Sequence, residues 1–222
     1  VVFFGVWLGL LAETYRESRQ ERAAERVSLS RLARDLAVDR RDMSGNRQRA
    51  SEGLAAAIWI LERGDSSGIA RDSLEYYLTV LQQTSGLSAN TSEYTALKGA
   101  GRINILRNAQ FRQRLTQLYE SYPFIQQLHD GDNSWLRDAL RPIAPSIRIG
   151  APDESGPAPG FGRVRVVGDT RDVLGQPDFL LAVSELAMYR SFLEARYGDA
   201  LQEIDELKAL TEREAGPGGS HD

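Results

Sequence analysis

His129-Asp130-Gly131-Asp132-Asn133 is the segment whose residue types come nearest to a reactive or metal-binding site, with imidazole nitrogen and carboxylate oxygens within five positions. A calcium loop needs ligands at regular spacing that end in a bidentate glutamate, and that pattern is absent. Zinc needs further histidine, thiolate or an assembled carboxylate set. The chain has no cysteine, and its second histidine, His221, lies in a Gly-rich tail. A turn or cap is the expected role of residues 129–133, with no metal bound.

Other candidates fail on spacing. Gly64-Asp65-Ser66-Ser67-Gly68 contains the Gly-Asp-Ser order found around a serine-protease nucleophile, but no β-barrel pattern surrounds it and His129 lies in a helical region. It reads as a turn. Gly99-Ala100-Gly101 lacks the third glycine and the preceding strand of a dinucleotide loop, and no phosphate-binding P-loop occurs. Carboxylate pairs abound, but on charged helix faces they are solvated groups rather than an acid/base pair. The absence of cysteine excludes disulfides, thiolate metal sites, iron–sulfur clusters and cysteine nucleophiles. The expectation is a protein that is not an enzyme and carries no cofactor.

The 222 residues are enough for one sizeable domain, and a composition 41% hydrophobic and 26% charged is that of a folded chain. The net charge of −4 provides no basic field for nucleic acid. Lys98 and Lys208 are the only lysines.

The N-terminus is the most informative stretch. Val1, Val2, Phe3, Phe4, Gly5, Val6, Trp7, Leu8, Gly9, Leu10 and Leu11, with Ala12, form a run without a charged residue. As a helix the run spans roughly 18 Å, short of the ~30 Å hydrocarbon core. Residues 1–12 are therefore expected to be the C-terminal part of a transmembrane helix, with further apolar residues before Val1. Trp7 and Tyr15 suit the interface. A signal peptide would need small residues and a cleavage site, and a third reading, a buried core helix in a soluble protein, is weakened because the run is apolar on every side rather than along one stripe. Gly5 and Gly9 have the spacing that lets membrane helices approach closely. The expected lipid contact is this anchor.

Beyond it, residues 13–140 read as a helical bundle. Glu13, Glu17, Glu21 and Glu25 form one acidic stripe, with Arg16, Arg22 and Arg26 in reach; a solvated face is the expectation. Leu29, Leu32, Leu36 and Met43 make a narrow packing seam. The cluster Arg40, Arg41, Arg47 and Arg49 would lie roughly 40 Å or more from the membrane along a straight helix, too far for lipid phosphates. Gly45 is expected to mark a bend. A second helix then presents Leu54, Ala57, Ile58 and Leu61, and a third carries Leu74, Tyr77, Leu78 and Leu81. A short helix ends near Gly99 and Gly101. Asn108 is a good N-cap for a helix with Phe111, Leu115, Leu118 and Tyr122 on one face, which Pro123 should kink or end. Tyr94, Leu97, Ile105 and Leu106, with Arg107 and Asn108, form a compact motif that either plugs the bundle or docks a partner.

Residues 141–176 read as a Pro/Gly-rich loop, within which 161–167 alternates enough for one short strand. Residues 177–214 read as a long helix packed on the bundle through Val183, Leu186, Arg190, Leu193, Tyr197, Leu201, Ile204 and Leu207. Residues 215–222 are expected to be a flexible tail.

Three segments carry a family likeness: FFGVWLGLLAE leading into a charged helix, NTSEYTALKGAGRINILRNAQFRQRLTQLYESY, and LLAVSELAMYRSFLEARYGDALQEIDELKAL. Together they span most of the chain outside the Pro/Gly-rich stretch. In these the chain resembles the DUF6090 family of bacterial single-pass membrane proteins. The resemblance implies one N-terminal transmembrane helix in the bacterial inner membrane and a helical domain on its periplasmic side. The fold expected is mainly α. The function expected is a non-enzymatic accessory or scaffolding subunit of a larger membrane complex, with respiratory, transport and photosynthetic hosts all open. Its partners would be other membrane-protein subunits, met through the anchor and the bundle. The alternative is a membrane-anchored sensory module with a ligand held in the bundle.

Overall fold

The computed structural model describes residues 2–64 and 68–215. Val1, the centre of the expected turn at Asp65–Ser67, and the tail Gly216–Asp222 with His221 lie outside the described residues. Six α-helices and one hairpin follow in the order α1 (Val2–Leu61), α2 (Arg71–Leu81), α3 (Ser92–Gly99), α4 (Ala109–Leu140), β1 (Ile147–Asp153), β2 (Phe161–Val166), α5 (Arg171–Leu174) and α6 (Pro177–Ala215). The protein is mainly α, a helical bundle. Among the described residues no helix is long and apolar enough to cross a membrane.

Two compact units share the three long helices: the described residues within 1–41, 88–121 and 201–215 form one, and those within 42–87 and 122–200 form the other. In the first, Leu29, Leu32 and Leu36 of α1 are buried, as are Phe111, Leu115 and Leu118 of α4 and Ile204 and Leu207 of α6. Each set recurs at threes and fours, the spacing that keeps one helix face toward a core.

In the second unit the core joins Ala56, Ala57 and Ile60 of α1, Leu74, Leu78 and Leu81 of α2, Leu136 and Ala139 of α4, Val164 and Val166 of β2, and Phe179, Val183 and Leu186 of α6. Burying Phe179 and each such leucine contributes about 1.5–3 kcal/mol. Pro177 opens α6, where its missing N–H has no helical partner to lose, and Asp178 follows in the first turn.

Three expectations change. α1 runs through Gly45 without a break, because one glycine in a helix interior costs only about 1 kcal/mol, less than the flanking packing supplies. α4 likewise continues through Pro123 rather than ending there, even though proline withdraws the N–H due to the carbonyl four residues earlier. Ile58, expected on an apolar face, is 44% exposed.

The stretch read as a loop with one short strand instead carries two. β1 and β2 pair antiparallel, Ile147 opposite Val166 and Ile149 opposite Val164, with an irregularity between Ile149 and Pro152. Pro152 and Gly150 hide β1 from a sequence reading, since both residues are disfavoured within strands.

Candidate functional site

The second unit completes its hairpin with side chains instead of a third strand. Glu75 and Thr79 of α2 and its C-cap Gln82 recur at four and three, so they share one face. Thr79 Oγ1 accepts the Val164 N–H at 2.9 Å, and Glu75 Oε1 accepts the Val166 N–H at 2.9 Å. Gln82 Nε2 donates to the Gly162 carbonyl, and Arg165 Nη1 meets Glu75 Oε2 at 3.1 Å. Beside this junction is a shallow groove of about 300 Å³ lined by Asp72, Tyr76, Pro157 and Arg163 among others. Its cations are engaged, Arg163 with Asp153 at 2.8 Å and Arg165 with Glu75.

His129 is not in a turn or cap. It lies inside α4 and is 1% exposed. Tyr197 Oη lies 2.5 Å from its Nε2, and Ser85 Oγ lies 3.3 Å from its Nδ1. Burial holds the imidazole below its ordinary value of 6.5, partly offset by the carboxylates of Asp132, Asp42 and Asp130. Burial also pushes the Tyr197 hydroxyl well above the usual tyrosine range. A neutral imidazole between two hydroxyls has both nitrogens satisfied. The Ser85 contact is long, and a tyrosine rather than a carboxylate faces the other nitrogen, so the trio is built to hold position rather than to activate a nucleophile.

One turn on, Asp132 faces Arg190. The guanidinium donates from Nε to Asp132 Oδ1 at 2.9 Å, from Nη1 to the Leu81 carbonyl at 2.8 Å and from Nη2 to the Gln83 carbonyl at 2.9 Å. Leu81 is the last residue of α2 and Gln83 lies two beyond it, so Arg190 places a positive charge at the helix C-terminus, the favoured sign there. Gly53 leaves the room: a Cβ at that position would meet Arg190 Nη1 and lie 2.9 Å from Cζ.

In the first unit the motif around residues 94–108 is held from α1. Asp39 Oδ1 accepts the Asn90 N–H at 2.6 Å and Asp35 Oδ1 accepts Asn90 Nδ2 at 2.8 Å. Asp35 Oδ2 accepts the Glu93 N–H at 3.0 Å, capping α3 across space. Tyr94 stacks on Tyr119 with ring centroids 4.8 Å apart, and Leu97 and Leu106 are buried while Ile105 is half-buried. The helix closes with Arg102 N–H to the Leu97 carbonyl at 2.8 Å and Gly101 N–H to Lys98 at 3.1 Å. Gly101 sits at φ +66, the left-handed position that terminates helices in this way.

Arg107 and Asn108 finish the motif. Arg107 donates from its backbone N–H to Glu25 at 2.7 Å and from Nη2 to Glu21 at 3.1 Å. Half of the acidic stripe therefore has a tertiary partner rather than only solvent. Asn108 Oδ1 accepts the Phe111 N–H at 3.0 Å, capping α4, while its Nδ2 donates to Glu214 at 2.8 Å. The structure thus brings Tyr94, Leu97, Leu106, Arg107 and Asn108 together with α1 residues that local sequence does not single out, Asp35 and Asp39. The signal for those two was weak: acids four apart that interrupt an otherwise leucine-lined face.

Val2 to Leu11, the residues expected to anchor the chain, form the opening turns of α1. Trp7, Leu10 and Leu11 are 55%, 64% and 47% exposed, and Tyr15 follows at 67%. No metal-holding group of histidines and acids occurs among the described residues. The chain matches no family model, no curated protein and no solved structure.

Proposed function

We propose that this chain is a membrane-anchored, non-enzymatic accessory subunit, similar to the DUF6090 family, whose helical bundle packs beside other membrane-protein subunits. The carrying observation is the exposed apolar set Trp7, Leu10, Leu11 and Tyr15 at the start of α1. In water each buries its surface elsewhere or meets lipid, and aromatic residues beside a leucine-rich run suit the membrane interface. On this reading residues 1–12 are the end of a transmembrane helix in the bacterial inner membrane, and the bundle lies on the periplasmic side.

Support for a holding rather than a reacting role comes from the polar interior. Arg190, Asp132, His129, Asp35 and Asp39 are spent on helix ends, loop backbone and one another. The alternative, a sensory module, finds support only in buried His129 and Tyr197 with half-buried Ser85 beside them.

The test is affinity capture of the full-length protein from native membranes in mild detergent, read by mass spectrometry. A stoichiometric partner upholds the subunit reading. Recovery of the protein alone, or its release from membranes by alkaline carbonate, overturns it.

A further inference from the structure

Along α6 in the second unit, Leu181, Met188 and Phe192 are 61%, 72% and 41% exposed. They are seven and four residues apart, so at about 100° per residue they fall within a narrow arc of the helix. Between and beside them Ser184, Ser191 and Ala195 are small and exposed, leaving a low ridge that another helix can approach closely. The opposite face, Val183, Leu186, Arg190 and Leu193, is the one buried in the unit. α6 is therefore apolar on two sides, one of them uncovered.

The charges along this stripe say what covers it. Glu185 and Arg196 lie on the same flank, three residues before Met188 and four after Phe192. Glu185 is half-buried and makes no ion pair among the described residues, whereas Arg196 reaches only its own neighbour Asp199, at 3.4 Å. Arg196 also lies over the Phe192 ring, 4.9 Å from the centroid. When a helix pairs antiparallel with a copy of itself about a two-fold axis, residues on one flank meet residues on the same flank of the copy. The register that sets Met188 against Phe192 of the second copy also brings Glu185 within one residue of its Arg196, inside the reach of a guanidinium. Each contact occurs twice, giving two sulfur–aromatic pairs and two opposite-charge pairs.

We propose that the outer face of α6, from Leu181 to Arg196, docks a second copy of this chain in antiparallel, two-fold fashion. The geometry of α6 alone carries this inference, and it stands whether or not the N-terminus enters a membrane. About four turns of helix make a modest interface, so the association is a reversible one.

The test uses the full chain in mild detergent, with mass followed by light scattering across a concentration series. Glu185→Arg and Arg196→Glu should each weaken dimerisation about tenfold, and the double exchange should restore it. Because the natural chain lacks cysteine, Ser191→Cys supplies a single thiol close to the two-fold axis. A short bis-maleimide should link it between copies, whereas Ser155→Cys on the hairpin loop should not link. A monomeric mass at every concentration overturns the proposal. So does a dimer that ignores the charge exchange or leaves Ser191→Cys unlinked. Membrane release by carbonate, which tests the anchor, moves none of these readouts.

Discussion

Asp132 and Arg190 form an ion pair at 2.9 Å with side chains only 5% and 1% exposed, fifty-eight residues apart in sequence. Because the same guanidinium holds the Leu81 and Gln83 carbonyls, the pair ties α4, α6 and the end of α2 at one point.

Removing one member leaves the other charged and buried. Asp132→Ala should therefore lower stability by about 3–5 kcal/mol, while Asp132→Leu combined with Arg190→Met should recover part of that loss. Urea denaturation followed by circular dichroism measures both; equal losses in the single and double variants would show that the desolvated charge is not the cause.

Gly53→Ala should destabilise by a mechanism distinct from helix propensity, since alanine is the better helix former. The new methyl meets the Arg190 guanidinium, so the expected loss is about 1–3 kcal/mol. In the Arg190→Met background the same change should cost less, and a double-mutant cycle reads the difference.

His129 imposes a pH dependence with a definite sign. Its folded value lies below the unfolded value near 6.5, mainly through burial, so the unfolded chain binds the proton first as pH falls. Stability from this residue is complete above 6.5 and is lost progressively below it. His129→Gln should flatten that slope between pH 7 and 5 in thermal melts, whatever it does to the melting temperature at neutral pH.

Gly101→Ala meets no atom within 4 Å, so its cost is purely the positive φ, about 1 kcal/mol. Asn108→Ala should cost a similar ~1 kcal/mol through loss of the α4 cap. Hydrogen exchange should show faster opening at residues 92–99 for the first variant and at residues 109–113 for the second.

Glu75→Ala should loosen β2 selectively. The Val166 N–H and the Arg165 side chain both lose their partner, and an unsatisfied buried N–H costs about 1–3 kcal/mol. Amide exchange at Val166 should rise more than at Val183, which lies in α6.

The mainly helical fold was legible wherever a single face is apolar: Leu29, Leu32 and Leu36, then Phe111, Leu115 and Leu118, all proved buried. What escaped the sequence depends on partners far along the chain. β1 pairs through a strand containing Pro152 and Gly150, and β2 finds its second edge in α2 side chains some ninety residues away. His129 looked like a cap because its neighbours are cap-forming residues, yet its role is set by Tyr197, sixty-eight residues on. Arg190 did leave a trace, as the one charged residue in the apolar seam of α6. Buried arginine in such a seam implies a carboxylate or carbonyls opposite, and both are present.

An open β-ribbon can in principle recruit strands at both of its borders without limit. Here the Val164 and Val166 N–H groups and the Gly162 carbonyl are occupied by Thr79, Glu75 and Gln82, so the β2 border offers no template. Assembly through a single border joins two ribbons and then has nowhere to extend. A helix has thereby made a polymerisable motif self-terminating, without adding a strand.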